Sequence, residues 1–195
     1  MSPSLTLTPL TSLHITTHSI PPHSHLPNTS THPLIIYHSV YPAHTSPSLI
    51  ETHLRTTSLV PAWRYTMYTT THYHSSTHEV LCVYAGRARL LFGGEGNPGK
   101  VEVVVGKGDV LVVPAGVGHR LLEDLAGDGE EGYMMVGAYP RGCSWDMCYG
   151  KEEEEGERKR VGEVKWLEKD PMYGDDGPVV WGVKELAERS GKRQV

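Results

Sequence analysis

The sequence predicts an all-β domain of the sandwich or barrel type. Three observations predict it. Short apolar or alternating stretches recur through the middle of the chain, and each is closed by a glycine or proline turn. Helix-type patterning is confined to two short stretches, near Ser48 and near Val180. Metal-ligating side chains recur in both halves of the segment from His72 to Glu123, with strand-like runs between them. The chain has 195 residues, ample for one barrel core with extensions.

Residues 1–33 are rich in Thr, Ser, Pro and His and carry no charged side chain. Pro21, Pro22, Pro27 and Pro33 exclude a helix, so this extension is expected to wrap the surface or to be partly disordered. Its histidines (His14, His18, His23, His25, His32) are irregularly spaced and do not read as a site. Leu34-Ile-Ile-Tyr37 begins the ordered part as a strand. Ser48-Leu-Ile-Glu51 has the form of a capping box, predicting a short helix over 49–57 that covers one end of the barrel. Pro61 ends that unit, and Trp63 to Tyr68 leads as a strand toward the first histidines. Glu79-Val-Leu-Cys-Val-Tyr84, Arg87-Ala-Arg-Leu-Leu-Phe92, Val101-Glu-Val-Val-Val105 and Val110-Leu-Val-Val113 are the central strands, separated at Gly86, Gly93–Gly99 and Gly106–Asp109. Gly132 to Tyr139 is the last core strand. Arg141, Trp145, Asp146 and Tyr149 share a loop that either lines a substrate entrance or plugs the barrel mouth. Glu152 to Arg160 reads as a solvated surface loop, residues 170–178 as a turn-rich loop, and Val180 to Arg189 as a C-terminal helix through Val183, Leu186 and Ala187.

His72 and His74 are two apart, so an extended backbone aims both imidazoles to one side. Glu79 follows a short polar break, and His119 follows the Val110–Val113 run, closed by Pro114 and Gly116. His72, His74, Glu79 and His119 form a mixed nitrogen and oxygen set suited to Fe(II), Mn, Ni, Cu or Zn. Eight of the twelve histidines lie at or before His53, and three of the remaining four are in this set. The fourth, His78, neighbours Glu79 and points to the opposite face, supporting the site or facing the surface.

His72, His74, Glu79 and Gly86 meet the spacing H-x-H-x4-E-x6-G, and Gly108, Pro114, Gly116 and His119 meet G-x5-P-x-G-x2-H. These resemble the two motifs of the cupin superfamily. Thr66 stands where a glycine is expected, and Glu123 where an asparagine is expected. More closely, the chain resembles the small single-domain YjlB-type cupins, through His72–Ser75, His78–Leu81, Val136–Pro140, Ser144–Asp146, Cys148–Gly150, Asp170-Pro171 and Tyr173-Gly174. The resemblance covers roughly residues 33–182. It implies a double-stranded β-helix, or jelly-roll barrel, with a few short peripheral helices. The implied organisation is an N-terminal extension at 1–33, a cupin domain at 34–182 and a C-terminal helix or tail at 183–195. It also implies a homodimer.

The net charge of −5 argues against nucleic acid as a partner, since phosphate binding needs a basic surface. No apolar stretch reaches the roughly 20 residues of a membrane span. The N-terminus lacks the basic and apolar regions of a secretory signal, and the cytoplasm is the expected compartment. Cys82, Cys143 and Cys148 are too few for a disulfide framework and are expected to be structural. The expected function is that of a metal-dependent enzyme acting on a small oxygen-rich molecule, with dioxygenase-type chemistry on Fe(II) or Mn. Glu79 is the expected ligand that doubles as a base, and Tyr68 and Arg87 are candidate wall residues. The alternatives are non-redox isomerase, decarboxylase or lyase chemistry on Zn or Ni, and a non-catalytic binding module.

Overall fold

The computed structural model describes residues 5–182, together with Glu185 and Glu188. In chain order its elements are β1 (His14–Ile20), β2 (Thr29–His38), α1 (Pro47–Thr56), β3 (Leu59–Tyr65), β4 (Glu79–Ala85), β5 (Arg87–Phe92), β6 (Val101–Gly106), β7 (Val110–Val113), β8 (His119–Asp124), β9 (Met134–Pro140) and α2 (Glu155–Val161). A six-stranded sheet runs β1-β2-β7-β4-β9-β3, and a three-stranded sheet runs β6-β5-β8. Every strand pairing is antiparallel. The architecture is a jelly-roll barrel.

β4 and β7 read as continuous apolar runs because both of their faces are buried. In β4, Leu81 and Val83 join the interior cluster, while Val80 and Cys82 join an outer one. In β7, Leu111 and Val113 face in and Val110 and Val112 face out. The interior cluster also takes Ala88, Leu90 and Phe92 from the small sheet, which closes the barrel. The outer cluster is covered by Ile50 and Leu54 of α1 and by Met172 and Val179 of the C-terminal loop.

Several local expectations are corrected. The N-terminal extension contributes β1, which pairs with β2 from His14↔His38 to Ile20↔Thr29. Only Ile15 and Ile20 of β1 are buried, so the Thr- and His-rich strand carries a weak apolar signal. The helix is capped by Ser46, two residues early, with Pro47 in its first turn. Glu51 and Ser48 instead receive the Arg64 guanidinium, at 2.6 and 3.0 Å to the carboxylate and 2.9 Å to the hydroxyl. Pro61 lies inside β3, which ends at Tyr65; an edge strand with a register shift between Pro61 and Trp63 accommodates the missing N–H. The charge run forms the short helix α2, which buries no residue. Val183, Leu186 and Ala187, on which the expected C-terminal helix rests, lie outside the described residues. No helix among the described residues is long and apolar enough to cross a membrane.

Asp170 pins the C-terminal loop to the sheet. It has no solvent exposure. Tyr37 Oη donates to it at 2.6 Å, and the amides of Met172, Tyr173 and Val179 donate at 2.9, 3.0 and 3.1 Å. Asp170→Ala strands these buried donors and is expected to cost about 3–5 kcal/mol in urea unfolding. A loss below about 1 kcal/mol contradicts this account of the loop.

Candidate metal centre

Backbone pairing assembles the site. His72 and His119 bond reciprocally through their main chains, at 3.2 and 2.8 Å, and the Gly116 amide donates to the His74 carbonyl at 2.9 Å. Gly116 makes this turn with φ +85°, where a Cβ would lie 2.7 Å from Val161. His119 opens β8, and Glu79 opens β4 opposite Val113. Glu79 shares its strand face with Leu81 and Val83, so its carboxylate enters the barrel. All four side chains are at most 4% exposed.

The ligand nitrogens of His72, His74 and His119 lie within 4.8 Å of one another, a cluster able to hold a metal ion. Glu79 Oε1 lies 3.3 Å from His74 Nε2, and Oε2 lies 3.3 Å from His119 Nε2. The outward nitrogens are all committed. His72 Nδ1 donates to the Thr70 carbonyl at 3.0 Å, His119 Nδ1 to the Val117 carbonyl at 2.9 Å, and His74 Nδ1 to the Asp146 carbonyl. A carbonyl only accepts, so each neutral ring carries its proton on Nδ1 and turns a bare Nε2 inward. Three nitrogen lone pairs therefore share one corner, two of them 3.3 Å from a carboxylate with no proton between. That donor set fits a divalent cation.

The proton affinities express the same demand. Burial, then the His119 imidazole, lowers His72 to about 3. Burial alone would also lower His74, but the Glu79 carboxylate, its hydrogen bond and the Asp146 carbonyl outweigh it and raise the ring. Burial would raise Glu79, yet His74 and His119 hold it well below the usual carboxylate range.

Two groups missing from the sequence reading complete the corner. Tyr139 Oη donates to Glu79 Oε1 at 2.7 Å, and Trp63 Nε1 donates to Tyr139 Oη at 2.9 Å. The alternation of β9, with Met135, Gly137 and Tyr139 on the face opposite Val136 and Ala138, carries the signal for Tyr139. The Trp63 contact crosses strands and leaves no local pattern.

A cavity of about 250 Å³ opens above the site. Trp63, Met67, Leu81, Met135, Tyr139, Trp145 and Met147 give it mostly apolar walls. Tyr68 lines it, edge-on to His72 with ring centroids 5.7 Å apart. Arg87 does not: it stands exposed at the start of β5, packed along Gly106. Trp145 is 48% exposed and near-parallel to Tyr139, centroids 6.2 Å apart. Its neighbour Asp146 caps the turn, accepting from Ser75 N at 2.7 Å and Ser75 Oγ at 2.6 Å. The loop therefore lines the cavity mouth and holds His74 at once. Cys148 is buried beside Asp146, with its thiol pushed up to about 11 chiefly by burial, which suits a packing role.

His78 faces away from the site. Its Nδ1 accepts from the Ala115 amide at 2.8 Å, and its Nε2 donates to the Lys165 carbonyl at 3.1 Å. Burial lowers it to about 4 against an ordinary 6.5. The unfolded chain therefore binds the proton first as pH falls. The stabilisation is whole above about 6.5 and is lost toward pH 4, by about 3 kcal/mol for this ring. His78→Gln keeps both hydrogen-bonding roles without the proton. It is expected to flatten the acid limb of urea stability in metal-free protein by about that amount; an unchanged limb contradicts the assignment.

Residues 51–122 match the Cupin family. Bacillus subtilis (strain 168) YjlB is 31% identical over 165 residues, spanning 84% of this chain and 93% of that protein. RmlC from Streptococcus suis shares 12% identity over 72% of this chain and 74% of its own, with a TM-score of 0.34. Procruciferin, an 11S globulin from Brassica napus, shares 11% identity over 58% of this chain, with a TM-score of 0.29; the chain spans 22% of its length. The two-motif spacing, the jelly-roll barrel and the match to YjlB converge: the chain belongs to the cupin family.

Proposed function

We propose that the chain is a metal-dependent cupin oxidoreductase of the dioxygenase type. It acts on a small, flat, largely apolar molecule bearing two adjacent oxygens. His72, His74, Glu79 and His119 would hold the metal. The observation that supports this best is the cluster of three bare imidazole nitrogens, two of them 3.3 Å from a buried carboxylate, at the base of a cavity. The mixed nitrogen and oxygen set suits Fe(II) or Mn. Such an ion, when bound, supplies Lewis acidity and a route for electrons between substrate and oxygen.

The walls narrow the substrate. Arg64 is the one Lys or Arg lining the cavity among the described residues, and Glu51 already holds its guanidinium. Nothing there rewards a polyol or a highly charged acid, whereas Trp63, Tyr139 and Trp145 offer aromatic surface to a planar molecule. Among the described residues Glu79 is the one carboxylate lining the cavity, and so the acceptor nearest to a proton leaving a substrate hydroxyl. Met67, Met135 and Met147 keep the space around that group dry.

The test loads metal-free protein with Fe(II), Mn(II) or Zn(II) and supplies enediols, β-diketones, ortho-dihydroxy aromatics and polyols. Oxygen uptake with Fe(II) or Mn(II), none with Zn(II), and preference for planar compounds are expected. His119→Ala is expected to lower that uptake at least 100-fold. Oxygen-independent turnover would transfer the function to non-redox isomerase or lyase chemistry. Saturable binding without turnover would leave a binding module.

A further inference from the structure

We propose that Tyr139 and Trp63 are positioning residues for the metal centre, holding Glu79 with both carboxylate oxygens turned to the imidazoles. The inference rests on the four-ligand reading above.

The direction of the hydrogen-bond chain is fixed by chemistry. An indole nitrogen only donates, so Trp63 fills an acceptor position of the Tyr139 hydroxyl at 2.9 Å. The phenol proton is thereby directed to Glu79 Oε1 at 2.7 Å. Tyr139 is 4% exposed and Glu79 is 3% exposed, so the pair is largely shielded from bulk water. Turning the carboxylate away would leave a buried hydroxyl and a buried charge unpaired.

The backbone is shaped for this chain. The register of β3 against β9 shifts between Pro61 and Trp63, which re-aims the indole over Gly137. A Cβ on Gly137 would lie 2.1 Å from Trp63 Cε2 and Cζ2. The missing side chain is what admits the indole. Bulge, glycine, indole and phenol thus form one path from the sheet edge to a metal ligand. Trp145 also stacks near Tyr139, so a substrate packed at the mouth touches the group that orients Glu79.

The experiment titrates Co(II) into metal-free wild type, Tyr139→Phe, Trp63→Phe and His119→Ala, reading the dissociation constant and the visible ligand-field spectrum. Tyr139→Phe is expected to weaken Co(II) about 10–100-fold and to alter the spectrum. Trp63→Phe is expected to move both in the same direction by less. Wild-type affinity and spectrum in Tyr139→Phe overturn the inference, even if its metal-free melting temperature falls, because that pattern is a purely structural role. Should Tyr139→Phe not fold, Trp63→Phe is judged by the same criteria. Absence of Co(II) binding by wild type overturns the four-ligand reading and this inference together.

Discussion

A carboxylate buried at the start of a central strand is the constraint on which the site depends. Glu79 opens β4, which pairs with β7 on one side and β9 on the other, and its parity sends it into the barrel. Removing such a charge from water costs several kcal/mol unless partners replace the solvent. The structure supplies one donor, Tyr139 Oη at 2.7 Å, and sets His74 Nε2 and His119 Nε2 3.3 Å from the two carboxylate oxygens, where a bound cation would complete the pairing. Each imidazole is held in turn by a backbone carbonyl on its other nitrogen. One carboxylate charge, spread over two oxygens, and three lone pairs then share one buried corner. That donor set fits a divalent cation.

The same logic governs the layer outside the barrel. Asp146, His78 and Asp170 tie loops down through hydrogen bonds, and the Asp170 loop adds the apolar cover of Met172 and Val179. Asp146 is the joint nearest the chemistry, because its carbonyl orients His74 while its carboxylate fixes Ser75. Trp145, beside it, lines the cavity. Movement of this loop on substrate binding would reach His74 through one peptide. His78 locks the Pro114–Ala115 turn that leads to His119, so it supports the site from the side facing away from it.

Legibility in the sequence followed periodicity. Strands buried on both faces are continuous apolar runs, and β4 and β7 stand out for that reason, while β5 and β6 are bounded by their glycine turns. The histidine pair, Glu79 and His119 were readable because side-chain direction alternates along an extended chain, and the structure brings all four together. Residues that matter through a partner far away in sequence were not readable. Trp63 meets Tyr139 across 76 positions, and Tyr37 meets Asp170 across 133. β1 was missed because its threonines and histidines are half-exposed while only Ile15 and Ile20 are buried. Arg87 was misplaced because an exposed strand start says nothing about which end of the barrel holds the cavity.

The most direct test of the central claim is elemental analysis of untagged protein purified without added metal. It is run beside His119→Ala and beside a variant with His14, His18, His23, His25 and His32 replaced by Gln. Truncating the N-terminus is the wrong control, because it removes β1 from the sheet. About one equivalent of Fe or Mn per chain, lost in His119→Ala and retained in the glutamine variant, is the predicted result. No metal, or metal that leaves with the N-terminal histidines, would contradict a working centre at His72, His74, Glu79 and His119.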